Sequence, residues 1–167
     1  TFGNILLDYA IQDTAQYKRA LNLNKGLCTT EFLANNTNYR QEVFASAVDN
    51  VIVTRLSASQ KEGLNVLVRL EREKDARVTV QGNEIILEGQ IIDEDDPKAG
   101  PGGAHMKFAS KLHILHQGGQ LVEKDGGIYI EKAEQATLLF TAATDYRLAN
   151  LNFDRSIQPL AVCDQII

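Results

Sequence analysis

The sequence has no tryptophan, one methionine, two cysteines and three prolines in 167 residues, and each scarcity closes off a class of protein. Without tryptophan, the flat ring best suited to stacking on sugars, a stand-alone carbohydrate-binding module is disfavoured. The two cysteines, Cys28 and Cys163, fall in no C-x-x-C spacing and sit beside no histidine cluster, which argues against a metal site. Buried free thiols are the expected state, with a disulfide as the alternative. Few prolines and no low-complexity tract make the bulk of the chain globular. Long apolar runs are missing too: Ala136 to Ala143 is far shorter than the ~20 residues that cross a bilayer. Positive charge is in the minority, 17 basic against 22 acidic side chains with a pI near 5.2. Such a surface repels a phosphate backbone, and nucleic acid is excluded as a partner. Thr1-Phe2-Gly3-Asn4 offers neither a start methionine nor the basic-then-apolar pattern of a signal peptide, and reads as the opening of an excised or processed piece.

What the chain does have is period two. Short apolar runs separated by Gly, Asn and Asp predict antiparallel strands, hence an all-β fold. Ile5, Leu7, Tyr9 and Ile11 alternate along a first strand, and Tyr17 to Leu23 offers a second. Leu27 to Leu33 and Thr37 to Ser46 flank Ala34-Asn35-Asn36, where asparagine tolerates the left-handed backbone of a hairpin turn. Val51 to Leu56 reads as a strand buried on both faces, whereas Leu64, Val66, Val68 and Leu70 alternate with polar residues and predict one wet face. Gln81-Gly82-Asn83 joins two short strands. The stretch 93–104, acidic and then rich in Gly and Pro, is expected outside any ladder as an exposed loop. Met106 to Glu131 reads as a β-meander, and Asn152 to Ser156 leads into Ile157, Leu160, Ala161, Cys163 and Asp164 at helical spacing. About eleven or twelve strands exceed what one open sheet comfortably holds, so two packed sheets are predicted. Val43, Ile52, Val53, Leu138 and Phe140 are the expected core.

Glycoside hydrolysis needs two carboxyl groups facing each other across a cleft. Asp93 to Asp96 are adjacent on one loop and do not meet that requirement, nor do they follow the spacing of a calcium loop. His105, His113 and His116 fall in one predicted strand, with His116 on the opposite face from the other two, so they do not chelate one ion together. No Gly-x-Ser-x-Gly elbow accompanies them. Gly100-Pro101-Gly102-Gly103 lacks the Gly-Lys-Ser/Thr ending of a phosphate loop. Tyr9, Tyr17, Tyr39, Tyr129 and Tyr146 are expected in half-buried structural roles. Asn35-Asn36-Thr37 is a glycosylation sequon of little meaning in a bacterial protein. Catalytic, cofactor-binding and metal residues are therefore predicted to be absent, and substrate-binding residues stay unassigned.

Several segments, taken in order, resemble the N-terminal domain of glycoside hydrolase family 95, the α-L-fucosidases, which is distantly similar to that of family 65. They are Thr1-Phe2-Gly3-Asn4-Ile5, Tyr17 to Leu23 (YKRALNL), Tyr39 to Ser46 (YRQEVFAS) followed by Asp49 to Leu56 (DNVIVTRL), Met106 to Leu112 (MKFASKL) and Ala136 to Tyr146 (ATLLFTAATDY). The chain departs from the family at Ala47-Val48, where His-Pro is common, and at Lys107, where Arg is.

The resemblance implies a two-sheet super-sandwich of the galactose-mutarotase type over 1–150, incomplete at its start, with 151–167 beginning a helical linker to an absent catalytic (α/α) barrel. It implies a parent enzyme, periplasmic or extracellular in a gut-type bacterium, that removes terminal α-L-fucose from glycans by inversion without a cofactor. No catalytic residue transfers to this chain, since those of the family lie in the barrel. The barrel and, through it, the glycan are the implied partners, and loop 93–104 either reaches toward them or is simply solvated. The cut is expected to expose strand edges, and Ile157, Leu160, Val162, Ile166 and Ile167 to lack a surface to bury against, favouring self-association by edge pairing or tail packing. The rival readings are the carbohydrate-binding module and a structural sandwich of a surface protein.

Overall fold

In the computed structural model, which describes residues 2–98 and 100–167, antiparallel strands follow one another almost without interruption. They are β1 (Asn4–Asp8), β2 (Ala15–Asn22), β3 (Leu27–Ala34), β4 (Thr37–Ser46), β5 (Val51–Ala58), β6 (Leu64–Glu71), β7 (Ala76–Gln81) and β8 (Glu84–Asp93). Next come β9 (Gly103–Gln117), β10 (Gln120–Lys124), β11 (Gly127–Ala133), β12 (Gln135–Thr144), β13 (Tyr146–Arg147), β14 (Asn152–Phe153) and the helix α1 (Pro159–Asp164). Thr1 of the opening motif and Ala99 of the acidic loop lie outside the described residues.

Eight strands form one sheet in the order β2-β3-β4-β5-β12-β9-β8-β7, four form a second in the order β1-β6-β11-β10, and β13 and β14 make a small ribbon. The fold is the expected all-β sandwich. Period-two alternation builds its core, because every second side chain points into the space between the sheets. Leu56, Ile85, Leu87, Leu112, Ile114 and Leu138 from the large sheet share that space with Leu64, Val66, Val68, Ile128 and Ile130 from the small one, each 1% exposed or less.

Local turn chemistry matches the sequence reading. Asn35 and Asn36 take φ of 50° and 58°, the pair of left-handed residues that a two-residue type I′ hairpin requires. Asp125 and Gly126, at 49° and 72°, do the same between β10 and β11. The first strand is shorter than the alternation to Ile11 predicts. Asp8 Oδ1 accepts the Ala10 amide proton at 3.0 Å and Ala10 has φ of 48°, a side-chain turn that competes with the ladder.

Several expectations are corrected. Val51 to Leu56 is not buried on both faces: Thr54 and Leu56 are buried, but Arg55 is exposed and Ile52 is 41% exposed. Of the predicted core, Leu138 is buried, Val43, Val53 and Phe140 are half-buried and Ile52 is not core at all. The reason is the unequal width of the sheets. β6 packs on β5 and β8 and β11 packs on β9, leaving β2, exposed along its whole length, beyond the cover. There Tyr17 is 64% exposed, and Tyr146, in the ribbon, is 40% exposed; Tyr39 is buried, and the half-buried role fits Tyr9 and Tyr129.

The predicted meander splits between the sheets. β9 lies in the large sheet and β10 and β11 in the small one, the chain crossing at Gly118-Gly119, both with positive φ. A Cβ on Gly119 would stand 2.0 Å from the Glu131 carbonyl oxygen, so the crossing needs glycine there. The loop expected over 93–104 is also narrower, since the ladder continues through Ile92↔Ala104 and Asp93↔Gly103. Finally, the tail has a surface to bury against. α1 packs on β9 and β12, with Cys163 fully buried and Ile157, Leu160, Val162, Ile166 and Ile167 half-buried, and the Cys163 thiol lies 3.7 Å from the Ala109 carbonyl oxygen of β9.

Candidate functional site

The acidic run spends its carboxylates on its own backbone. Asp95 Oδ1 accepts the Gly102 amide at 2.7 Å, Asp96 Oδ1 accepts the Lys98 amide at 2.6 Å, and Asp96 bridges Gly100. Asp93 stands 3.6 Å from His105. The Asp96 bond to Lys98 is an Asx turn, and the Asp95 bond closes the loop onto Gly102, which gives the run a structural reason.

The three histidines all lie on β9, as predicted, and have separate surroundings. His116 Nδ1 is 2.8 Å from the Gly118 carbonyl. His105 sits edge-on to Phe153, with ring centroids 6.3 Å apart. His113 is held at both nitrogens, Nδ1 at 3.0 Å from Glu84 Oε1 and Nε2 at 3.1 Å from the Asn83 amide. The amide is a donor, so the ring keeps its proton on Nδ1 and gives it to Glu84. Among the described residues, no group of three or more His, Cys, Asp or Glu is placed to hold a metal ion. Cys28 and Cys163 are both free thiols, the first half-buried and the second buried. Burial pushes the Cys163 thiol up to about 11.

Two buried polar clusters emerge that the sequence reading missed. The first centres on Lys111, whose side chain is 8% exposed on the outer face of β9 and lies 3.0 Å from both Glu84 and Asp164. Burial alone would raise the Glu84 carboxyl, but the hydrogen bonds from His113 and Lys111 outweigh it and its pKa falls. Burial likewise works against the Lys111 ammonium, yet its bonds to Glu84 and Asp164 win and its pKa rises. Through Asp164, and through the Ile167 carbonyl at 3.5 Å, this lysine fastens α1 to the sheet. A lysine in an alternating strand ordinarily reads as solvated, so only a partner element above the sheet could have flagged it.

The second cluster is at the corner where the sandwich ends. Asp145 is fully buried; its Oδ1 accepts the Lys107 amide at 2.9 Å and its Oδ2 accepts from Arg155 at 2.5 Å. Arg155 also donates to the carbonyls of His105 at 2.8 Å and Ala104 at 3.2 Å and lies over the Phe153 ring. A buried carboxylate is tolerated because both oxygens are satisfied. The pair staples the segment after β14 to the start of β9.

The buried charges thus join strands and tail, and the molecule is of the class of antiparallel sandwich domains whose buried ionic groups serve as fasteners. The chain belongs to the family of glycosyl hydrolase family 65, N-terminal domain, whose model matches residues 1–149. It is 25% identical over 171 residues to "Alpha-L-fucosidase 2" of Arabidopsis thaliana, an alignment that takes in 89% of this chain and 20% of the relative. Among solved structures it is similar to a protein described as a kojibiose phosphorylase from human microbiome, with a TM-score of 0.55 and 12% identity, over 96% of this chain and 24% of that one. The latter likeness shows a shared fold. The chain spans about a fifth to a quarter of the length of these relatives.

Proposed function

We propose that the chain is the non-catalytic N-terminal domain of a glycoside hydrolase that removes terminal α-L-fucose from glycans by inversion, without a cofactor, in the periplasm or outside a bacterium. The observation that carries this reading is the alignment of 89% of the chain with one fifth of a fucosidase, joined to the ordered motifs from Tyr39-Arg40-Gln41-Glu42 to Ala136–Tyr146. A catalytic helical barrel is the partner this reading requires. The Asp145–Arg155 staple and the Lys111 clasp would then hold the segment leading to it at a fixed angle. The half-buried apolar residues of the tail would complete their burial against it.

A second reading has its own support: the family model and the fold neighbour both belong to family 65, which favours a parent acting as a disaccharide phosphorylase. The two differ in one requirement, phosphate. The full-length enzyme containing this domain is expected to release fucose from 2′-fucosyllactose in phosphate-free buffer, with the β-anomer appearing first by proton NMR. Cleavage of kojibiose that depends on phosphate, with no fucose released, would establish the second reading instead. The 167-residue chain alone is expected to do neither, and turnover above a heat-treated control would overturn its non-catalytic assignment.

A further inference from the structure

On the outer face of the large sheet, at the end the small sheet leaves uncovered, a trough of about 520 Å³ crosses four strands. Strand register places its residues in rows. Lys18, Glu31, Arg40 and Ser57 stand side by side on β2, β3, β4 and β5. Leu33 and Asn38 pair in the next row, extended by Ser59, whose amide donates to the Asn38 carbonyl at 2.9 Å. Phe32 and Tyr39, between the rows, turn the other way and stack on one another at 5.1 Å with Tyr9 against them, so a rigid aromatic layer backs the trough.

The polar groups have two kinds of state. Arg40 is oriented, donating to Glu31 and, at 2.9 Å, to Glu42. The side chains of Gln16, Lys18, Asn38 and Ser57 carry no ion pair or hydrogen bond among the described residues, and they open into the same space. The volume lies within the range of small-ligand sites. Charge decides which ligand fits. Lys18 and Arg40 are balanced by Glu31 and Glu42, so an anion gains little here, whereas a neutral molecule bearing many hydroxyls can donate to Glu31 and accept from Lys18 and Arg40. Leu33, half-buried in the floor, offers an apolar surface for the C–H face of a ring.

We propose that this trough binds the end of a neutral oligosaccharide, as a substrate-holding subsite apart from the chemistry. The inference rests on the reading of the chain as part of a glycan-degrading enzyme only for its biological sense; the site itself is read from the rows of side chains. The test is a titration of the ¹⁵N-labelled 167-residue chain with 2′-fucosyllactose and, separately, with maltotriose. Amide shifts at Leu33, Asn38, Arg40 and Ser57 are expected to move and saturate at millimolar sugar. Arg40→Gln and Asn38→Ala are each expected to weaken binding about tenfold, the loss of one good hydrogen bond to a sugar. Asn38 is exposed, so its truncation leaves the fold intact should Arg40→Gln disturb it. Absence of saturating shifts with both sugars, shifts confined to another face, or stronger displacement of the same resonances by inorganic phosphate would each overturn the proposal. A full-length enzyme that releases no fucose would retire the fucosidase reading while leaving saturable binding of maltotriose in place.

Discussion

Single residues carry unequal loads here, and the inequality is measurable. Leu138 and Ile52 lie on the inner face of adjacent strands, yet one is 1% and the other 41% exposed. Leu138→Ala removes three heavy atoms from a filled space and is expected to cost about 2–5 kcal/mol, while Ile52→Ala should cost less than about 1 kcal/mol because the site is half solvated. Urea midpoints compare them directly, and equal shifts would mean that something covers Ile52 in solution. Asp145 is a different case, since its two oxygens satisfy the Lys107 amide and Arg155. Asp145→Ala strands both donors; the expected loss is roughly 2–3 kcal/mol, at or below the low end of the figure for a fully buried pair because the Arg155 side chain is 42% exposed and can be rehydrated. A midpoint within error of wild type would show that the tail is not held by this staple.

At the scale of elements, what was legible in the sequence is what depends on neighbours in sequence. Asn35-Asn36 was readable because the left-handed turn is written in those two residues, and the alternation of β6 was readable because it is a property of one strand. The assignment of strands to sheets was not, since an alternating pattern says which face is buried but not which strand lies beside it. Met106 to Glu131 read as one meander, when Gly118-Gly119 within it is the crossing from one sheet to the other. The Lys111 clasp was hidden for the same reason: Glu84, Lys111 and Asp164 are far apart in sequence and meet only because β8 pairs with β9 and α1 lies across them. That clasp makes α1 docking depend on pH. Glu84 has a folded pKa below its ordinary value of 4.5, so its contribution is complete above that value and lost as pH falls through the folded one. Lys111 has a folded pKa above 10.5, so its contribution is complete below that value and lost as pH rises past the folded one. Docking should therefore be flat across the neutral range and loosen in acid. Cys163, on the buried face of α1, reports it: in a Cys28→Ser background, 4,4′-dithiodipyridine should label Cys163 slowly at pH 7 and faster in acid, once the pH has fallen below the ordinary Glu84 value and through its lower folded one. Lys111→Met should label several-fold faster than its parent at pH 7, and equal rates would mean that packing alone holds the helix.

For the whole molecule, the decisive feature is a large sheet wider than its partner. The expectation of self-association rested on exposed strand edges and on a tail with nowhere to go; the tail is packed, which leaves the edge of β2 as the stronger cause. Its eight residues are all exposed and, among the described residues, only β3 pairs with it, so its far edge presents free backbone donors and acceptors to any second strand. Leu21 and Leu23, 63% and 83% exposed, add apolar area that a neighbouring copy would cover. Lys18, Arg19 and Lys25 oppose this, because antiparallel pairing of two β2 edges brings like charges together. Their repulsion acts between exposed groups and is screened as the Debye length falls from about 10 Å at 0.1 M salt toward about 3 Å at 1 M. Backbone pairing and apolar contact are not screened. The chain is therefore expected to be mostly monomeric at low ionic strength and to shift toward dimer as salt rises, which sedimentation velocity at tens of micromolar can follow. Leu21→Lys should hold it monomeric under both conditions by adding charge and removing apolar area. A dimer that weakens with salt, or one indifferent to Leu21→Lys, would place the contact elsewhere and leave the β2 edge free in solution.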